Sequence, residues 1–294
     1  MFSRILLIPF VISGVYMLLQ MHEAQKITGE YDFNIWLIPL VVIGFIIHLF
    51  APQIDWWWMK RNPPKLHEGL RKLLQERHVF YRNLSLEEKE RFRKRMALYM
   101  NAKEFRPMGG PETIPHDVIG FITAAAIQVT FGQSDFLMDK FEHFIIYPGA
   151  FPSPQYPTDL HNSENYIKDG VIMFSVKSIM DSTAYSPRAY HIGLHEYANV
   201  FEQVFAEQSF PPLEESIWET LASISSMDRD FVHDSVGIPE ISPRPVSVHH
   251  FFVFPKKFQA ALPELFEAYV QIFNLNPLEQ YSPVVDMDVL DQEF

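Results

Sequence analysis

Two apolar runs open the chain. Residues 5–19 are almost wholly apolar with Arg4 the nearest charge before them, and residues 35–51 carry one ionisable side chain, His48. Each run is short of the roughly 20 residues a spanning helix needs, but flanking aromatic and polar residues extend both into range. The pattern therefore predicts two transmembrane helices. A secretory signal followed by a buried core helix is the competing reading; it lacks a small-residue cleavage pattern, since Met21-His22-Glu23 follows the first run.

Beyond residue 54 the pattern becomes that of a water-soluble domain. Asn62-Pro63-Pro64 breaks any helix arriving from the second run. Ser85 with Glu88 forms a capping box that opens a charged amphipathic helix over residues 86–100. Pro115 starts an apolar helix over 118–131, in which Ala124-Ala125-Ala126 permits close packing. Phe144-Ile145-Ile146-Tyr147 reads as a short buried strand stopped by Pro148-Gly149, and residues 171–176 read as another. From Pro187 to Ser209 a helix is expected whose Leu194, Tyr197, Ala198, Phe201 and Phe205 share one core-facing side. The fold class is α+β: a mostly helical domain with a small sheet, preceded by two transmembrane helices. The expected divisions are an anchor over 1–54, an interfacial linker over 55–65, the soluble domain over 66–282 and a tail over 283–294.

Charge orients the anchor. The connection over residues 21–34 carries Glu23, Glu30 and Asp32 against Lys26 alone, whereas Lys60, Arg61, Lys65, Arg71 and Lys72 follow the second run. Lys and Arg near span ends favour the cytoplasmic side, so both termini are expected there, in a bacterial-type inner membrane. Trp56-Trp57-Trp58 suits the headgroup layer, since an indole joins an apolar body to a hydrogen-bonding edge. A net charge of -12 argues against a nucleic-acid surface. The absence of cysteine removes disulfides, thiol nucleophiles and thiolate metal sites, which leaves His, Asp and Glu as the strong metal donors.

Candidate chemistry centres on His195-Glu196-Tyr197-Ala198-Asn199. In H-E-x-x-H the two His lie one helical turn apart and grip one zinc ion, while the Glu activates the bound water. Here Asn199 stands where the second His would be, and a neutral amide oxygen is a poor donor for zinc.

Several further segments occur in a telling order: Leu84-Ser85-Leu86-Glu87-Glu88, then Phe144 to Phe151 reading FIIYPGAF, then Leu194-His195-Glu196-Tyr197-Ala198 with Glu202, then Trp218, Phe251-Phe252, Leu262-Pro263-Glu264-Leu265 and Asn276-Pro277-Leu278. With these, residues 66–280 resemble the Mlc titration factor A family of zinc peptidases, whose fold is zincin-like. The resemblance implies peptidase ancestry and, for the namesake, binding of a transcriptional repressor. It makes His195 the first zinc ligand, Glu196 the general base and Asn199 the occupant of the second ligand's place. The family's third ligand is a Glu shortly before the Phe-Phe pair. Counting back from Phe251 puts Ser242 there, with Glu240 two residues away, and Pro243 and Pro245 predict that no continuous helix forms across the segment.

The expectation is a membrane-anchored pseudopeptidase with no cofactor, His195 and Glu196 being remnants, that binds a protein or peptide partner in the cleft or through its membrane helices. Its rivals are an active zinc peptidase with replacement ligands, for which His191, His249 and His250 are candidates, and a structural subunit of an envelope complex.

Overall fold

The computed structural model describes residues 2–29, 35–184 and 188–279. Two compact units divide at Pro64: Met1–Pro64 and Lys65–Phe294.

The first unit contains α1 (Phe2–Thr28), α2 (Leu37–Leu49) and α3 (Ala51–Arg61). α1 and α2 run antiparallel: a Cβ on Gly14 would lie 3.2 Å from Leu40, and one on Gly44 4.0 Å from Leu7. Asp55 on α3 accepts from both the backbone N–H and the hydroxyl of Ser3, at 2.8 and 2.9 Å, and Phe2 stacks on Trp58 at 4.0 Å. The start of α1 is thereby tied to α3. By length and composition one helix, over Phe2–Ile27, suffices to cross a membrane; α2 and α3 qualify only jointly, and a 63° bend separates them. The expectation of two plain spans is corrected to that extent. α1 also continues through Glu23 and Lys26, which had been assigned to the connecting loop. Glu30 and Asp32 lie outside the described residues, as do the tail over 283–294 and the last residues of the expected domain.

The second unit begins with α4 (Glu68–Arg77), α5 (Val79–Asn83) and α6 (Leu86–Ala102), the last opened by the Ser85/Glu88 capping box. β1 (Glu104–Pro107), α7 (His116–Val129), β2 (His143–Tyr147), β3 (Ser163–Tyr166) and β4 (Val171–Ser175) follow. The sheet order is β1-β2-β4-β3, with β1, β2 and β4 parallel and β3 an antiparallel edge. The β3–β4 turn needs Gly170, whose φ is +63° and where a Cβ would come within 2.7 Å of the Lys140 carbonyl. α8 (Val176–Ala184), α9 (Ile192–Val204), α10 (Ile217–Ser225), α11 (Arg229–Val236), α12 (Pro243–Val253), α13 (Pro255–Ala261) and α14 (Pro263–Phe273) complete the unit.

The core surrounds α7, buried almost throughout from Val118 to Val129, as its alanine run leads one to expect. α9 packs against α7, α12 and β3. Its apolar side consists of Leu194, Tyr197, Ala198 and Phe201, with Phe205 at the C-cap, all buried. Two expectations need correction. α9 is shorter than residues 187–209: His191 is its N-cap and Phe205 its C-cap, while Pro187 lies outside the described residues. The Pro-rich segment does form a helix, because Pro243 and Pro245 sit in the first turn of α12, where a missing N–H loses no intrahelical bond.

Candidate active site

His195 and Glu196 stand side by side on α9, each 2% exposed. His195 Nδ1 lies 2.6 Å from the Tyr190 hydroxyl, so Nε2 is its free nitrogen. Burial holds the His195 imidazole neutral, down to about 3. The same burial raises the Glu196 carboxyl above the usual range, opposed by the Asn165 amide, which donates to Glu196 Oε1 at 2.6 Å. Asn165 lies on the edge strand β3 and in turn accepts from the Gln203 amide at 2.9 Å. Strand and helix thus fix one carboxylate through a chain of two amides.

Beside them Glu164 on β3 and His161, just before that strand, form a second buried pair. His161 is fully buried and its Nε2 meets Glu164 Oε2 at 3.0 Å, while Nδ1 is 3.0 Å from the Asp159 carbonyl. A carbonyl and a carboxylate can only accept, so both ring nitrogens act as donors and the imidazole carries charge. Burial disfavours that charge, but Glu164, the Asp159 carbonyl and the nearby Glu196 outweigh it and raise the His161 pKa. Gly237 ends α11 with φ +86°, and a Cβ there would lie 2.8 Å from His161 Cα.

The remaining sequence candidates lie apart from this centre or are otherwise engaged. Asn199 is half-buried on α9. Ser242 is exposed and N-caps α12 through the Arg244 backbone N–H at 3.3 Å, and Glu240 is exposed. His191 Nδ1 caps α9 through the Leu194 N–H, and the His191 N–H donates to His249 Nε2, both at 3.2 Å. His250 has both nitrogens engaged, on the Val246 carbonyl and the Ser225 hydroxyl at 2.7 Å each. Among the described residues no three His, Asp or Glu side chains gather around one point, so the donors present do not fit a three-ligand zinc site.

Tyr190, Asn165, Gln203 and the His161–Glu164 pair escape sequence reasoning. Tyr190, five residues before His195, and Gln203, about two turns beyond Glu196 on the same helix, carry a local signal; Asn165 and Glu164 come from β3 and His161 from the segment before it, and nothing in their sequence announces that they face α9.

Among curated proteins none matches the chain at a significant level. The sequence model of the family described as glucose-regulated metallo-peptidase M90 matches residues 54–220, more than half of the chain, and that match includes His195, Glu196 and Asn199 but stops short of Ser242. The chain therefore belongs to the M90 metallopeptidase family, the Mlc titration factor A group that its motifs resemble.

Proposed function

We propose that this is a membrane-anchored M90-family domain that has lost zinc chemistry and works by binding a protein or peptide partner. The observation that carries the reading is the donor set. His195 offers Nε2, but Asn199 supplies only an amide, Ser242 is spent on capping α12 and Glu240 points to solvent. A three-ligand zinc site without two of its strong donors loses most of its affinity. The replacement histidines do not restore it: His249 Nε2 and His191 Nδ1 hold the start of α9, and although His249 Nδ1 has no partner, these rings do not gather with His195 around one point among the described residues.

A partner in extended conformation suits the free edge of β3. A strand edge offers unpaired backbone groups to a peptide. Alongside lies a groove of about 650 Å³ lined by Pro154, Asn165, Tyr166 and Gln203. The active-enzyme alternative rests on the retained orientation of Glu196 by Asn165 and the open Nε2 of His195.

Elemental analysis of the full chain, purified without added metal and assayed for peptide hydrolysis, separates the two. The expected result is far less than one zinc per chain and no hydrolysis. Near-stoichiometric zinc that disappears in His195→Ala overturns the reading and promotes the enzyme.

For the anchor, α1 is the first crossing and α2 with α3 jointly the second, supported by their combined length and by Lys60 and Arg61 at the end of α3. The soluble unit then lies in the cytoplasm of a bacterial-type cell. A reporter fused after Phe294 that functions only outside the cytoplasm should stay silent, and strong signal from it reverses the orientation.

A further inference from the structure

Away from the Glu196 carboxylate, at the opening turn of α9, lies a cavity of about 260 Å³ walled by the end of α4, α5, α7, α8, α9 and α12. Its polar lining is unusual for what is unsatisfied. Gln128 is 5% exposed, yet its amide makes no hydrogen bond among the described residues. His78 is 6% exposed, and its Nε2 has no partner either. Such groups normally find partners, because an orphaned buried donor forfeits its hydration.

The tautomers follow from the caps. His78 Nδ1 accepts from the Tyr81 N–H and His191 Nδ1 from the Leu194 N–H, both at 3.2 Å. Each ring therefore carries its proton on Nε2. Burial holds both imidazoles neutral at ordinary pH. With the Gln128 NH₂ and the exposed Arg77 guanidinium, the polar lining is rich in donors, and among the described residues no carboxylate lines the cavity. The Thr183 hydroxyl spends its proton on the Ile179 carbonyl. Phe80, Leu194 and Phe252 supply an apolar wall. As for size, a cavity of about 150 Å³ holds benzene, so this one has room for a ring or short branched chain bearing one polar group.

We propose that this cavity binds a small monocarboxylate with an apolar body, its carboxylate drawn to Arg77, Gln128 and the Nε2–H of His191, and its body seated on Phe80 and Phe252. The site is separate from the peptide edge at β3 and does not depend on whether the family's zinc chemistry survives. Because His191 N-caps α9 and lines the cavity, the ligand touches the helix that carries His195 and Glu196 at its first turn.

The probe is benzoate, titrated into the purified full chain by calorimetry or ligand-observed NMR, with benzyl alcohol as the uncharged comparison. Saturable benzoate binding at least tenfold tighter than that of benzyl alcohol is expected. Arg77→Gln and Gln128→Leu should each weaken it at least tenfold while leaving the thermal melt cooperative. Gln128→Leu exchanges an unpartnered amide for an apolar side chain of similar size; if that variant fails to fold, exposed Arg77 decides alone. Absence of saturable benzoate binding, equal affinity for benzyl alcohol, or unchanged affinity in Arg77→Gln overturns the proposal.

Discussion

Glu196 shows how much of this domain depends on single polar contacts. A buried carboxylate is tolerated only with donors aimed at it. Here the Asn165 amide supplies a donor at 2.6 Å, and Gln203 holds the amide in turn. Replacing Asn165 by Leu keeps the volume but removes both bonds, so the unfolding free energy should fall by about 1–3 kcal/mol. In a Glu196→Gln background, which carries no charge to satisfy, the same change should cost less. Urea denaturation of the four proteins measures the difference, and equal costs in both backgrounds would show that Asn165 does not act through Glu196. None of this was legible in the sequence. Ser163-Glu164-Asn165-Tyr166 is a polar tetrapeptide without the alternation or β-branched residues that mark strands. It is a strand because β4 pairs with it, a tertiary fact. The Ser85/Glu88 capping box, by contrast, lies wholly within four residues and was read correctly.

At the scale of elements, legibility followed the range of the forces involved. The apolar side of α9 was readable because the period of a helix is local, whereas its start depended on a cap made by His191, a residue outside the usual set of cap formers. α12 was missed for the opposite reason: two prolines suggested a break, but their place in the first turn makes them compatible with the helix. What holds α9 against α7 and α12 is burial. Phe201 is fully buried and stacks near Phe205 and Phe273, with ring centroids 4.4 and 4.7 Å away. Phe201→Ala should destabilise the second unit by about 3–5 kcal/mol. Half-buried Asn199 should by contrast accept His with little change in the melt. If Asn199→His unfolds the domain while Phe201→Ala is harmless, the helix faces have been assigned the wrong way round. Asn199→His by itself should not restore hydrolysis, since Ser242 remains at the N-cap of α12.

On the scale of the whole molecule, composition set the class and the apolar pattern set the first helices, but the way the second unit responds to acid emerges only from its packing. Of the histidines in the core, His78 is held to about 3 and His250 to about 4, both chiefly by burial, and burial lowers His191 and His249 as well. An unfolded histidine titrates near 6.5. These four rings are therefore neutral in the folded chain while the unfolded chain takes up protons below about pH 6.5. The stability they permit is fully present above that pH and is lost as pH falls from 6.5 towards 4 and 3. Each contributes up to about 1.4 kcal/mol per pH unit to the slope. His195 is lowered by burial in the same way, and His161 alone works in the other direction, its raised pKa adding stability at low pH, one ring against five. With total stabilities of about 5–15 kcal/mol for typical domains, the second unit should unfold within roughly two units below pH 6.5, before carboxylate protonation dominates. Circular-dichroism melts of the full chain at pH 8, 6.5, 5.5 and 5 test this, with His78→Gln expected to flatten the dependence by about one ring's share. A melting temperature that stays constant from pH 8 to pH 5 would mean that these histidines are not held neutral in the fold, and the hydrogen-bond directions deduced for His78 and His191 would fall with it.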